Sequence, residues 1–478
     1  MGHRPGERTD SSNTDSINTD SGDKAELVVR AAQLAATYVA AERTGRVSPR
    51  SGALDQLRAA VDAIALDEPI DSLDAVELVA EIGDVGAVRS TGGRYFGFVN
   101  GGVSPAALAA SIVAASWDQN VGLPAMSPAA SLLDEAAARF VVDVLGLPAG
   151  TVASFCAGAT IANITAVVTA RDSLLRRAGW DATTDGLRGA PPIRVVASAE
   201  VHVSVLKALR IAGFGSNDVQ LVPTDGAGRL IASELPAHRG GLTLVALQAG
   251  NVNTGGSDPF DEVIDRLGGE ETWVHVDGAF GLWAAASPSK QVLLAGVERA
   301  DSWATDAHKW LNAPYDCGVV LCRHPQELAT AMAMQAAYVP ADGADRALMN
   351  LGLQMSQGAR AVPVFAALAT EGRAGVAAIV DRTCALATRF ADRLRAAGAD
   401  VLAPVELNQV LVSFDDAQTT SAVIERVQAG GICWMGGTTW HEMTAMRISV
   451  SDSSTTTDDV DASVAAVLAA WAEVRGAA

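Results

Sequence analysis

The sequence predicts an α/β protein. A large domain is built on a mostly parallel sheet, with helices ahead of it and a small α+β domain after it. Three observations predict this. Short apolar, β-branched runs alternate with helix-like segments from about residue 150 onward. These runs are continuous rather than alternating in polarity, as strands covered on both faces are. Polar residues gather just past the ends of the runs, where ligands of such sheets bind.

In chain order, residues 1–24 repeat Ser, Thr, Asp and Asn, lack an apolar stretch of the secretory type, and read as a disordered tail. Residues 25–44 and 51–66 carry helical spacing, with Gly45 and Pro49 punctuating the gap. They belong to an N-terminal helical segment, 25–100. Residues 104–117 and 127–145 read as helices, the second opened by Ser127-Pro128. The strand runs are Arg194–Ser198, Val219–Val222, 242–247, 273–277 and Gly318–Cys322, and they place the large domain at 101–346. Residues 347–398 read mostly as helix, 408–414 and 446–450 as strands, and the end as helix, giving a small domain at 347–478.

Composition removes several classes of function. The 478 residues are 49% hydrophobic and 19% charged, enough for a large core. Fifty-five acidic residues against 35 basic ones give a net charge of −20, which argues against nucleic-acid binding. No run approaches ~18 uninterrupted apolar residues, so no membrane span is expected. The five cysteines form no Cys-x-x-Cys pair, and Cys317 and Cys322 lack a histidine pair. Reduced, buried thiols in a cytoplasmic protein are expected, with no metal site.

Lysine usage is the informative number. Of the 35 basic residues only four are lysines: Lys24, Lys207, Lys290 and Lys309. The first three have ordinary solvated explanations. Lys309 lies in Thr305-Asp-Ala-His-Lys-Trp-Leu-Asn, next to the strand-rich core. A desolvated lysine can lose its proton where arginine cannot, and a neutral amine is what a Schiff base to a carbonyl cofactor needs. Asp277 closes Trp273-Val-His-Val-Asp; a carboxylate ending a buried strand is costly without a cationic partner, and a protonated pyridine nitrogen is one that fits. A capping aspartate is the plainer alternative. His202 offers a flat imidazole able to stack on an aromatic ring, though a lone histidine is more often a satisfied core residue. Residues 154–163 put small side chains and a Thr hydroxyl at a helix start, an anion site without the Walker ending.

Taken in order, anion cradle, histidine, aspartate and lysine are separated by 75 residues from His202 to Asp277 and 32 from Asp277 to Lys309. With Arg94-Tyr-Phe-Gly-Phe, Ala157-Gly-Ala-Thr-Ile-Ala-Asn, Val201-His-Val-Ser-Val-Leu-Lys, His275-Val-Asp-Gly-Ala-Phe and Asp301-Ser-Trp-Ala-Thr-Asp-Ala-His-Lys-Trp-Leu, the chain resembles the group II pyridoxal phosphate-dependent amino acid decarboxylases of fold type I. The likeness runs from about residue 90 to the end.

That resemblance implies a seven-stranded, mostly parallel sheet and pyridoxal 5'-phosphate as cofactor. It implies that Lys309 forms the internal aldimine, Asp277 pairs with the pyridine nitrogen, His202 stacks on the ring and Ala279 packs on its other face. Ala159 and Thr160 meet the phosphate, with His308 nearby. Tyr338 matches a mobile-loop tyrosine that reprotonates the intermediate. Gln248 stands where many relatives have a threonine near the cofactor, and Gln357-Gly358 where many have arginines. Phe98, Asn100, Trp117 and Gln119 are the candidate substrate residues. The implied reaction is decarboxylation of an L-amino acid to the amine and carbon dioxide, in a homodimer with its active site at the interface. Two alternatives use the same residues: transamination or oxidative deamination to an aldehyde, and cofactor binding without turnover.

Overall fold

The computed structural model describes residues 21–236, 240–334 and 346–477. Tyr338 therefore lies outside the described residues. The chain divides into two compact units, residues up to 45 with 49–88, and residues 46–48 with 89–478.

The first unit holds α1 (Ser21–Ala41), α2 (Ala53–Asp62) and α3 (Ser72–Gly86). Helix α1 begins inside the stretch read from composition as tail, and α3 has no counterpart in the sequence reading. Asp71 starts α3 by accepting the Leu73 N–H at 2.7 Å. Arg30 and Glu77 tie α1 to α3 at 2.7 Å. Within this unit α3 has no buried residue.

The second unit opens with α4 (Pro105–Trp117) and α5 (Pro128–Val144). Each has proline in its first turn, and Ser104 Oγ caps α4 through the Ala107 N–H at 3.2 Å. The chain continues through β1 (Val152–Cys156), α6 (Ala159–Arg177), α7 (Ala182–Asp185), β2 (Arg194–Ser198), α8 (Val203–Ile211), β3 (Val219–Val222), β4 (Thr243–Gln248), α9 (Phe260–Leu267), β5 (Thr272–Asp277), β6 (Ser302–Asp306), β7 (Gly318–Cys322) and α10 (Pro325–Met332). It ends with α11 (Ala361–Ala396), β8 (Asp400–Val401), β9 (Gln409–Ser413), α12 (Ala417–Gly430), β10 (Gly436–Trp440), β11 (Met443–Ser449) and α13 (Thr457–Ala477).

Seven strands form one sheet in the order β1-β7-β6-β5-β4-β2-β3. Its β3-β2-β4-β5-β6 portion is parallel, and β7 runs antiparallel to both neighbours. This is the fold-type I α/β architecture, and the small four-stranded sheet β10-β11-β9-β8 follows it. β4, β5, β6 and β7 are buried along their whole length, which is why most of them read as unbroken apolar runs.

Two strands of the large sheet escaped the apolar-run criterion. β1 (VASFC) and β6 (SWATD) carry polar residues, yet Ser154, Ser302, Thr305 and Asp306 are all buried. Residues 347–360 are irregular rather than helical, apart from one turn at Leu348–Asn350. Gly352 and Gly358 break the pattern there, and α11 begins at Ala361 with Pro363 in its first turn. By length and composition α11 is apolar enough to cross a bilayer. Its break at Gly372 and its buried face against α4, α5 and α13 are those of a core helix. All five cysteines are free and buried.

Candidate active site

The site grows from the carboxyl ends of β4, β5 and β6. Side chains alternate along a strand, so Trp273, His275 and Asp277 point to one face of β5. On that face lies α6, which contacts both β5 and β6. Asp277 is in register with Gln248 on β4 and Ala304 on β6.

Asp277 is 4% exposed. It accepts the Ala279 N–H at 3.2 Å and lies 3.4 Å from Ser204 Oγ. No ion pair within 4.0 Å reaches it among the described residues. Burial pushes its carboxyl above the usual range, while His202 when protonated and Lys309 pull it back. His202 caps α8, its Nδ1 accepting the Ser204 N–H at 3.3 Å. Burial pushes its imidazole below the ordinary histidine range, and the Asp277 charge opposes that.

Lys309 sits in the turn after β6, its Nζ 3.1 Å from Asp306 Oδ2. Asp306 Oδ1 also accepts the Ala159 N–H at 2.6 Å, joining the lysine to the start of α6. Asn312 holds this turn, its side-chain amide donating to the carbonyls of Trp310 and Ser451, both at 2.9 Å. Gly101 runs over the same turn so closely that a Cβ there would meet the Lys309 carbonyl oxygen at 1.8 Å. Only glycine lets the 97–102 segment pass.

At the anion cradle, Gly158 precedes α6 with φ 122, and a Cβ there would stand 3.5 Å from His308 Cε1. Among the described residues the N–H and hydroxyl of Thr160 have no hydrogen-bond partner, leaving donors at a helix N-terminus. His308 Nδ1 accepts the Cys317 N–H at 3.1 Å, and its ring lies 4.1 Å from that of Tyr315. Burial pushes the His308 imidazole down.

Gln248 is held by its backbone. Its N–H donates to Asp258 Oδ2 at 2.8 Å, and its carbonyl accepts the Asp258 N–H at 3.0 Å. The residue is 7% exposed and in register with Asp277, and its side-chain amide makes no hydrogen bond among the described residues. Ala279 accepts the Asp306 N–H at 2.8 Å, tying the β5 and β6 ends together.

The four candidate substrate residues are placed unequally. Asn100 accepts from Tyr315 Oη at 2.8 Å, which brings it to the His308 edge. Gln119 lines a cleft of about 400 Å³ with Tyr315, Asp316 and Arg360. Phe98 is 60% exposed and stands on Trp434, ring centres 5.2 Å apart. Trp117 closes α4 and offers its carbonyl to Gln119 at 3.0 Å.

The structure adds residues that the sequence reading passed over. Asp306, Ser204 and Asn163 contact the predicted groups directly or through one hydroxyl. Arg447 on β11 acts electrostatically on His202 and has no ion pair among the described residues. A lone arginine inside Met446-Arg-Ile-Ser-Val was the available signal.

A carboxylate buried at the end of a parallel strand, an anion cradle at a helix start and a lysine between them define a site for an anionic, aromatic, carbonyl-bearing cofactor. The chain matches the pyridoxal-dependent decarboxylase conserved domain over residues 60–416 and belongs to that family, whose cofactor is pyridoxal phosphate and whose members are carboxy-lyases. It is 26% identical over 343 residues to an aromatic-L-amino-acid decarboxylase of Bacillus atrophaeus, covering 67% of this chain and 69% of that one. It is 30% identical over 292 residues to an L-2,4-diaminobutyrate decarboxylase of Rhizobium meliloti (strain 1021), covering 59% of this chain and 56% of that one. The chain thus spans little over half the length of the latter. A solved Oryza sativa structure, TDC with PLP and tryptamine, shares the fold at a TM-score of 0.86 and 22% identity, covering 95% of this chain and 99% of that one.

Proposed function

We propose that the chain releases carbon dioxide from an L-amino acid, with Lys309 Nζ as the covalent anchor of pyridoxal phosphate. When bound, the cofactor supplies an electron sink for the pair left on Cα as the carboxylate departs. The chain's own residues do the rest. Asp277 presents a fixed negative charge that would face the ring nitrogen, while His202 would cover one ring face and Ala279 the other. The Thr160 N–H and hydroxyl, with His308 beside them, hold the phosphate. Arg447 brings an uncompensated positive charge toward His202, suited to a substrate carboxylate. Tyr338 is proposed as the acid that returns a proton to Cα.

The observation that carries this reading is Asp277: a carboxylate 4% exposed, with no cation within 4.0 Å among the described residues. Such a group is stabilised by a cationic ring nitrogen and by little else. The relatives' names span aromatic and diamino substrates, so the side chain taken is found by assay. Incubation with each common amino acid, measuring carbon dioxide, amine and aldehyde together, should give carbon dioxide and amine in equal amounts. Borohydride reduction followed by peptide mapping should label Lys309. Label on Lys207, or aldehyde as the main product, overturns the proposal.

We also propose a homodimer. In the first unit Val28, Val29, Leu66 and Val79 are exposed, and Leu66 is 97% so. Sedimentation at micromolar concentration should give twice the chain mass of 49.1 kDa.

A further inference from the structure

A set of buried polar side chains behind Asp277 takes no part in the reading above. Trp273 Nε1 donates to Ser302 Oγ at 2.9 Å. That hydroxyl lies 3.0 Å from His275 Nδ1, and His275 Nε2 lies 2.9 Å from Asn163 Oδ1. Asn163 Nδ2 donates to Ser204 Oγ at 3.3 Å, and Ser204 Oγ lies 2.7 Å from His202 Nδ1. Trp273, Ser302, His275 and Asn163 are each 0% exposed, so each polar atom depends on its neighbour in the chain.

The His202 end fixes the direction of the bonds, and the Trp273 end is compatible with it. An indole N–H only donates, so Ser302 Oγ accepts from Trp273 and keeps one proton and one lone pair, able to meet His275 Nδ1 in either direction. At the other end, the Ser204 backbone N–H donates to His202 Nδ1 at 3.3 Å. That nitrogen therefore carries no proton, and the Ser204 hydroxyl beside it must be a donor. Ser204 then has only lone pairs left for Asn163, whose Oδ1 must accept from His275 Nε2. That places the His275 proton on Nε2, and Ser302 Oγ then donates its own proton to Nδ1. Burial holds His275 neutral by pushing its pKa down to about 4, so the ring carries a single proton. Asp277 Oδ2 lies within reach of the same proton at 3.4 Å, but His202 Nδ1 at 2.7 Å is the much shorter acceptor.

We propose that Trp273, Ser302, His275, Asn163 and Ser204 form a one-way hydrogen-bond relay that holds His202 as a neutral imidazole with its proton on Nε2. Ser204, Asn163 and His275 are positioning residues. The charged groups acting on His202 are Asp277, Lys309, Arg447 and Asp306, two of each sign. A neutral ring adds no cation beside Asp277, which keeps that carboxylate for the cofactor nitrogen. The Nε2–H stays available as a donor in the site. The catalytic meaning of the relay rests on the reading of His202 as a cofactor-facing residue; the tautomer itself does not.

The test uses the full-length holoenzyme with 15N-labelled histidine, whose seven histidines give few signals. Long-range 1H–15N correlation spectra should show His202 as the Nε2–H tautomer. Ser204→Ala removes the 2.7 Å hydroxyl bond and leaves Nδ1 only the capping N–H at 3.3 Å, too long to hold the tautomer alone. It and Asn163→Leu should each convert His202 to a mixture of tautomers and lower kcat about tenfold, the effect of one lost hydrogen bond, with KM unchanged within about twofold. Ser204→Thr, which keeps the hydroxyl, should restore both. Should Asn163→Leu fail to fold, Ser204→Ala carries the test alone. The relay is wrong if His202 keeps the Nε2–H tautomer in Ser204→Ala, or if the native enzyme shows Nδ1–H. Absence of carbon dioxide release from the native enzyme would overturn the proposed reaction instead, with the tautomer spectrum still readable.

Discussion

Asp277 and Asp306 end neighbouring strands and are buried to nearly the same degree, 4% and 3% exposed. Their surroundings differ completely. Asp306 is satisfied within the chain: Lys309 Nζ at 3.1 Å, the Ala159 N–H at 2.6 Å. Asp277 has one backbone N–H at 3.2 Å, a hydroxyl at 3.4 Å, and no cation in contact among the described residues. One carboxylate organises the protein, and the other is left for something the protein binds. Where a buried charge lacks its counter-ion, the missing charge predicts the ligand.

The largest expected effect removes the group between them. Lys309→Ala should abolish borohydride labelling and lower the rate of carbon dioxide release by at least about a thousandfold. Next comes the comparison itself. Asp277→Asn should lower kcat by about a hundredfold or more and yet make the cofactor-free protein more stable. The sign follows from the raised pKa. The folded protein holds the Asp277 proton more tightly than the unfolded chain, so its stabilising contribution is complete below the unfolded pKa and is lost as pH rises through the folded one. At neutral pH the ionised carboxylate is therefore a penalty, and the asparagine should raise Tm by about 2 °C. A lower Tm would mean that Asp277 is paired without the cofactor. Asp306→Asn keeps an acceptor for Ala159 but loses the charge facing Lys309. It should lower kcat only about tenfold, weaken cofactor binding measured by equilibrium dialysis, and lower Tm rather than raise it.

The same contrast explains what could be read in advance. Strands that only pack were legible: Arg194–Ser198 and Gly318–Cys322 are apolar because both their faces are covered. β6 was not, because Ser302 serves the relay and Asp306 the lysine, and those duties replace the apolar signal. Lys309, Asp277 and His202 stood out because each is chemically unusual at its place. Gly101 and Arg447 did not, since a close approach between distant segments and a missing counter-ion exist only in three dimensions. The end of the long helical stretch at 361 rather than 347 shows the same limit in a loop, where glycines outweigh apolar spacing.

A third buried carboxylate supplies the smallest and most discriminating prediction. Asp258, 3% exposed, has no cation in contact either among the described residues, but its oxygens accept the N–H groups of Leu230 and Gln248, both at 2.8 Å. Burial still wins over those bonds and raises its pKa to about 6. Between the unfolded carboxylate pKa and about 6 the folded state binds the extra proton, so this group makes the fold more stable as pH falls from 7.5 to 5. The shift is worth at most ~3 kcal/mol. In Asp258→Asn the amide cannot accept both N–H groups, so Tm at pH 7.5 should fall by the cost of one unpaired donor, ~1–2 kcal/mol. The informative quantity is the slope. Asp134, also raised to about 6, titrates alike in both proteins, so the difference between their Tm–pH curves isolates Asp258. The native protein should gain more stability on acidification than the variant. Parallel curves would show that backbone amides, unlike the bare surroundings of Asp277, suffice to keep a buried carboxylate at its ordinary pKa.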